Sequence, residues 1–551
     1  MPVITFNMGD LLDLVGGGVS AEKVLERVPL IGASVDRYEP STGETAVEFF
    51  PNRPDLYSVE GVSRALRTFF DIESGMKKYP HRPSGITMTW EESVLDVRPH
   101  CVAGVVRNVT MSDPMIRSLM ELQEKLHLTV GRKRVKVAIG VHDLDKVRPP
   151  FRYLAADPDS ISFVPLAKSE PMTMREVLQR HEKGVDYRHI LDGKDRYPVI
   201  LDRNDEVLSF PPIINGALTT VTPETKNIFI DVTGMDLFAI SGVLNIVSTS
   251  LAERGGEIET VQVKGPSSLV TPDLQPRCWP LDPDWANSWL GLKLSDREIC
   301  QRLGRMGYDA APNGARVDVM VPPWRMDLMH MADLVEDLAI GHGYERFGAT
   351  PPRSQTIGGE RSIERAADLV RQLMVGYGYW EVTTLTLSNP DDQFRLMRVP
   401  EEELVEVLNP VSEGHTCLRT WLTPSLLAVL RKSKHRELPQ RIFEVGDVLL
   451  NAKRRKHLAA LSIHPKASFT EAKSLVEGVM RDLSSKFYVV ASDSGAYVPG
   501  RGAQIVFEDE TVGSFGELHP EVISNFDLGN PIVGFELDLD RVLRDRQVQI
   551  L

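Results

Sequence analysis

The sequence predicts a multidomain chain of mixed helix and strand modules, of the α/β and α+β classes, and three observations carry that prediction. At 551 residues the chain exceeds what one apolar core organises, so three to five domains are expected. Apolar residues recur in some stretches at alternate positions and in others at spacings of three and four, so strands and helices succeed one another along its length. Proline and glycine separate the two patterns, as at Pro322-Pro323 and around Gly341 and Gly343.

Composition and charge exclude several functions. With 42% hydrophobic and 25% charged residues the chain is ordinary globular material, and it has no apolar run long enough to span a membrane. The opening MPVITFNMGDLLDLVGG lacks a basic region, an apolar run and a cleavage site, so a soluble, cytoplasmic protein is expected. Cys101, Cys278, Cys300 and Cys417 form no CxxC pair, which argues against a disulfide frame or a structural zinc site. A net charge of −14 excludes a protein that holds nucleic acid mainly by neutralising phosphates, so any RNA contact must be local. The short basic clusters at 132–136, 431–436 and 453–457 read first as solvated turns or helix faces.

Residues 1–84 open with an amphipathic helix around 10–15, a Gly16-Gly17-Gly18 turn, and a second helix capped by Ser20. The glycines have neither GxGxxG spacing nor a following Gly-Lys-Ser/Thr, so they do not read as a phosphate loop. Val47 and Phe49 belong to a strand that runs into Pro51-Asn52-Arg53-Pro54-Asp55, and Ser58 caps a helix over 59–70. Residues 85–268 mix strands at 102–109, 135–141 and 228–232 with a helix over 115–126 and a hairpin at 198–203 and 206–210. Residues 269–347 read β-α-β-α, with Ser295 to Glu298 forming a capping box before a helix that carries Ile299, Leu303 and Met306. From 348 to 551 the pattern becomes a long helix over 363–377, a strand over 381–387 with a terminated neighbour at 408–410, a helix over 422–430, and an antiparallel-type strand over 441–449.

The densest stretch is 320–347. Val317, Val319 and Val321 alternate up to Pro322-Pro323, where proline ends the strand because it cannot donate to a ladder. From about Asp327, Leu328, Met331, Leu334, Val335, Leu338 and Ala339 lay one apolar stripe along a helix that Gly341 and Gly343 stop. Asp333, Glu336 and Asp337 share one helical face, and Asp327 lies near its start, where a carboxylate caps free amides. Four carboxylates in eleven residues, with no cysteine among them, are hard oxygen ligands suited to magnesium or calcium; an exposed acidic face needs no metal at all.

Pro-Pro-Trp-Arg-Met-Asp followed by Ala-Asp-Leu-Val-Glu-Asp-Leu-Ala-Ile-Gly-His-Gly-Tyr-Glu resembles the B5 signature of phenylalanyl-tRNA synthetase beta subunits. The resemblance places magnesium on Asp327, Asp333, Glu336 and Asp337. Asn-Arg-Pro-Asp-Leu-Tyr-Ser-Val-Glu-Gly resembles the first domain of the same family, B1. Val-Ala-Ile-Gly-Val-His-Asp-Leu-Asp, Pro-Pro-Ile-Ile-Asn-Gly and Asn-Ile-Phe-Ile-Asp-Val-Thr-Gly-Met-Asp resemble its archaeal and eukaryotic B3/B4 editing module. Gln123, Arg134, His142, Asn215 and Thr225, polar and in or beside those phrases, become the candidate editing residues. Residues 348–551 resemble B6/B7, an antiparallel core of the class II synthetase kind.

A working class II core needs an arginine for the ATP phosphates and a second, late arginine after a Gly-rich strand. Arg441 stands near the first position, but Ser514-Phe515-Gly516-Glu517-Leu518-His519-Pro520 offers no second, so the module reads as catalytically silent. The resemblance therefore implies a cytoplasmic beta subunit that pairs with a catalytic alpha subunit, two of each, to attach phenylalanine to its tRNA with ATP and magnesium. It would itself supply scaffold, tRNA contacts and hydrolysis of mischarged tyrosyl-tRNA. Leu422, Leu426 and Leu427 are candidate contributors to the alpha interface, with core packing as their other use. The alternative is a non-enzymatic RNA-binding or assembly factor that retains a synthetase-like fold.

Overall fold

The computed structural model describes residues 2–265, 268–352, 357–483 and 486–543. The chain divides into two compact units, Met1–Thr350 and Pro351–Leu551. In the first, strands Val3–Asn7, Glu44–Phe49 and Ala33–Glu39 make an antiparallel sheet with Glu44–Phe49 at its centre. Thr45, Val47 and Phe49 alternate inward, as a half-buried strand requires. Asn7 caps helix Met8–Val15, Ser20 caps Ala21–Arg27 and Ser58 caps Val59–Phe69, each side chain accepting from a backbone N–H of the first turn. Gly16, Gly17 and Gly18 all take positive φ, which is why three glycines stand in that turn.

A ten-stranded sheet follows, from His81 to Thr271. It is antiparallel except where strand His81–Trp90 pairs parallel with both Glu257–Lys264 and Phe151–Ala156. The expected strands and hairpin appear as His100–Arg107, Val137–Asp143, Ile228–Gly234, Tyr197–Leu201 and Val207–Phe210. Helices Asp113–Leu128 and Leu237–Glu253 help cover one face, where Val102, Val106, Val243 and Leu244 join Leu11, Val62 and Leu66 of the N-terminal module in one core. The other face buries Met88, Trp90, Phe151, Tyr153 and Phe229.

The third module sets strands Arg277–Leu281, Arg316–Val321 and Asp309–Asn313 in that spatial order against helices Pro283–Leu290, Asp296–Arg305 and Met331–His342. Its chain order is β-α-α-β-β-α, one helix and one strand more than the β-α-β-α expected. Val317, Val319 and Val321 are fully buried, and the Ser295 capping box forms. The acidic helix begins at Met331 rather than near 327, so Asp327 caps nothing; His330 is the N-cap, its Nδ1 accepting from Ala332 N–H (3.1 Å), and Asp333 closes the box by accepting from the backbone N–H of Met329 and His330 at 2.7 Å each. Gly343 ends the helix, but Gly341 lies inside it, where a Cβ would come within 2.3 Å of the Arg302 carbonyl oxygen. That glycine is there for helix packing, not termination.

The second unit is a seven-stranded sheet in the order Trp380–Glu381, Gln440–Leu450, Lys453–Ile463, Ile532–Asp538, Glu510–Leu518, Tyr497–Phe507, Phe487–Ala491. All pairs are antiparallel except the first. Helices Ser362–Gly376 and Phe469–Asp482 contribute to one core of this unit, and Thr423–Lys432 and Pro520–Asn525 to another. The strand expected over 381–387 shrinks to Trp380–Glu381 and a separate Leu387–Ser388, with Thr384 between them donating to Glu444 (2.6 Å) instead of extending a ladder. Leu408 is 93% exposed and lies in no strand. The basic stretch 453–457 is strand, not turn, and Lys456 and His457 are buried in it. Leu422, Leu426 and Leu427 are fully buried in this unit's own core, so they do not form an outer face. Among the described residues no helix is long and apolar enough to cross a membrane.

Candidate functional site

Two pockets of the first unit contain most of the residues singled out in the sequence. The four acids line one pocket of about 240 Å³, together with Arg53 and Phe50 from the N-terminal module and Arg325 and Tyr344 from their own. Its centre is the buried Arg325. The guanidinium donates through Nε and Nη2 to Asp327 (2.8 and 2.7 Å) and through Nη2 to Asp337 (2.6 Å), and the Tyr308 hydroxyl also donates to Asp337. Burial disfavours charge on Arg325, yet Asp327 and Asp337 outweigh it and hold the guanidinium protonated. Burial likewise works against the Asp327 carboxylate, and Arg325 more than offsets this.

Glu336 differs from its neighbours. Burial, then repulsion from Asp337, Asp333 and Asp327, raises its pKa, and no cation is paired with it among the described residues. Asp333 spends one oxygen on the helix cap. Among the described residues no three His, Cys, Asp or Glu side chains form a group able to hold a metal ion. The donor chemistry suits a hard cation, but Asp327 and Asp337 already have Arg325 as their counter-ion.

The second pocket, about 420 Å³, opens against the ten-stranded sheet. Gln123, Arg134 and Asn215, three of the candidate editing residues, line it. Gln123 Nε2 donates to the Ile139 carbonyl (2.7 Å), Arg134 Nη1 donates to that of Ile213 (2.8 Å), and the Arg134 guanidinium stacks 4.5 Å from the Tyr187 ring. Arg134 stands in a turn where residues 132–134 all take positive φ, which aims its side chain back at the pocket wall. His142 and Thr225 are not in the lining. Thr225 is buried in a turn, donating to Asp143 (2.8 Å) and accepting from Thr222 N–H (3.0 Å). His142 is wholly buried behind the wall, its Nε2 2.6 Å from Asp231 and its Nδ1 2.8 Å from the Thr219 hydroxyl.

Sequence reasoning missed Asp231, Ser209, Glu124 and His127, all in the lining. Asp231 is buried, supported from behind by His142 and approached by the Ser209 hydroxyl at 3.4 Å. A lone acid inside the apolar run Ile228–Gly234 was the available signal, because a buried carboxylate needs a reason. Gly140 makes room for it: a Cβ there would sit 2.3 Å from Asp231 Oδ1. His127 Nε2 accepts from Ile139 N–H (2.9 Å), and burial pushes its pKa down to about 4, so the ring is neutral.

Comparison with known proteins agrees with these modules. Family models match residues 107–261 (B3/4 domain), 279–344 (tRNA synthetase B5 domain) and 348–539 (phenylalanyl tRNA synthetase beta chain CLM domain). The phenylalanine–tRNA ligase beta subunit of Methanothrix thermoacetophila is 48% identical over 541 residues, covering 98% of this chain and all of the relative. That of Archaeoglobus fulgidus is 47% identical over 543 residues, 98% of each. A crystal structure of an N-terminal fragment of the Pyrococcus horikoshii phenylalanyl-tRNA synthetase beta subunit is 38% identical, with a TM-score of 0.60, and matches over 62% of this chain and all of the fragment. Full-length similarity at this level, with three module matches in order, shows that the chain belongs to the phenylalanine–tRNA ligase beta-subunit family.

Proposed function

We propose that this chain works in the cytoplasm with an alpha subunit, two of each, as a phenylalanine–tRNA ligase. The alpha subunit carries the ATP-dependent aminoacylation site, and this chain contributes tRNA contacts and removes tyrosine wrongly attached to the tRNA. The pocket at Asp231 carries the editing reading. Met120, Leu166, Ile139, Ile213 and Ile214 give it apolar walls of a kind that take an aromatic ring, while Asp231, Ser209, Asn215 and Arg134 offer fixed polar groups. A pocket that recognises phenylalanine by apolar contact rejects an added hydroxyl poorly, so a second pocket whose polar groups bond that hydroxyl and a water is the physical remedy. Asp231, held by His142, is the group best placed to orient either one.

The alpha subunit is assigned to the exposed apolar residues of the second unit, Trp380, Leu385, Leu408 and Val411, because permanent interfaces are large and apolar. Asp327, Asp333, Glu336 and Asp337 are the magnesium candidates of this reading, and a divalent ion would supply positive charge there; as they stand they do not form a metal-holding group, because Asp327 and Asp337 are held by Arg325 and Asp333 by the helix cap. Equilibrium dialysis should find bound magnesium in the chain and less of it in Glu336→Gln; equal occupancy removes Glu336 from the set.

The test of function uses the purified full chain. It should deacylate tyrosyl-tRNA, at a rate that falls on the order of 100-fold in a folded Asp231→Asn variant, and show no phenylalanine-dependent ATP–pyrophosphate exchange until the alpha subunit is added. No deacylation by the wild type would leave an RNA-binding or assembly role; exchange by the lone chain would make it a self-sufficient ligase.

A further inference from the structure

Helix Asp113–Leu128 carries one wall of the pocket at Asp231, and one turn of it brings together two groups whose hydrogen bonds are incomplete. His127 is 3% exposed, and its Nε2 accepts from Ile139 N–H at 2.9 Å. Burial pushes its pKa down to about 4, so the ring is neutral and its one proton is on Nδ1. That Nδ1 is buried and has no hydrogen-bond partner. Glu124 Oε2 stands 3.8 Å from it and 3.5 Å from Arg134 Nη2, both longer than a good direct hydrogen bond.

The other oxygen of Glu124, Oε1, has no donor among the described residues. Beside His127 and Arg134 the carboxyl is pulled down to about 2, so it stays ionised. Three carboxylates, those of Glu121, Glu124 and Asp231, line the pocket against two cations, Arg134 and Lys183, so the lining holds one negative charge in excess. Depth separates the acids. Asp231 is 1% exposed and backed by His142, whereas the Glu124 side chain is 42% exposed and stands at the mouth.

An aminoacyl ester that enters this pocket brings one positive charge, its α-ammonium. Its ring belongs among the apolar walls, and its ester oxygen leads out to the nucleic acid. The ammonium, on the carbon between them, therefore stays near the mouth. A carboxylate fixed before the substrate arrives recognises such a group through a charge-assisted hydrogen bond.

We propose that Glu124 receives the α-ammonium of the mischarged amino acid through Oε1, while His127 Nδ1–H and Arg134 Nη2 face its other oxygen. This rests on the editing reading of the pocket and adds a requirement to it: the pocket takes esters with a free amino group and refuses N-acylated ones.

The probes are tyrosyl-tRNA and N-acetyl-tyrosyl-tRNA for hydrolysis, and tyrosinamide and N-acetyl-tyrosinamide for binding, all with the full chain. For the wild type, kcat/KM on tyrosyl-tRNA should exceed that on the N-acetyl form on the order of 30-fold, the worth of one hydrogen bond to a charged group. Glu124→Gln should bring the first value down to the second and leave the second as it was. Glu124→Asp, which keeps the charge but shortens the reach, should retain part of the preference. In calorimetry tyrosinamide should bind more tightly than its N-acetyl form, and Glu124→Gln should remove the difference. Equal hydrolysis of the two esters by the wild type, an equal fall on both in Glu124→Gln, or the same selective loss in Glu121→Gln overturns the proposal and leaves the editing reading standing. Tyrosinamide binding that depends on Glu124, in a chain that hydrolyses neither ester, overturns the editing reading and leaves the ammonium site standing. A chain that hydrolyses neither ester and binds neither amide overturns both.

Discussion

The acid pocket and the pocket at Asp231 use charge in opposite ways. Around Arg325 the charges are closed on one another, two carboxylates on one guanidinium, with Asp333 taken up by the helix cap and Glu336 left over. Around Asp231 the polar atoms are anchored from behind, by His142 and by backbone carbonyls, while the space in front of them stays open over about 420 Å³. Density of charge in a sequence thus marks a place where charges meet. Whether that place is a structural knot or a binding site depends on what else arrives to satisfy them.

The strongest way to break this comparison is at Arg325. Replacing it with Met leaves Asp327 and Asp337 buried without their counter-ion, and urea unfolding should report a loss of about 3–5 kcal/mol. A loss below about 1 kcal/mol would mean that the acid pocket is not held together by its own ion pairs.

The next effect belongs to the second pocket and appears as a pH dependence. Folding requires His127 neutral, with a pKa of about 4 against 6.5 for a free histidine. Between those values the unfolded chain takes up a proton that the folded chain refuses. Stability from this group is therefore complete above about pH 6.5 and declines as pH falls toward 4, by about 3 kcal/mol at the end of the window. His127→Gln should flatten that acid limb in unfolding curves taken from pH 7.5 down to 4.5; an unchanged slope would show that His127 is not the titrating group.

The smallest effect sharpens the boundary between lining and support. Thr225→Val removes a donor to Asp143 and an acceptor for Thr222, at a cost of about 1–2 kcal/mol, and should leave tyrosyl-tRNA deacylation per folded molecule as it was. A large fall in deacylation without loss of stability would return Thr225 to the pocket.

What the sequence by itself determined was local. The stripe Leu334, Val335 and Leu338 and the alternation Val317, Val319 and Val321 became a helix face and a strand face buried in one core, because these patterns depend on neighbours two to four residues away. The Ser295 capping box and the Gly16–Gly18 turn are of the same kind. Tertiary structure alone decided which polar groups face a pocket. Asp337 meets Tyr308 from 29 residues away, and Asp231 meets His142 from 89. Thr225 and His142 looked like pocket residues because they sit beside the right phrases, and packing turned both inward. The alternation of a strand sets which face a side chain takes, but burial, and with it the strength of every charge and hydrogen bond, comes from chain segments that local sequence does not name.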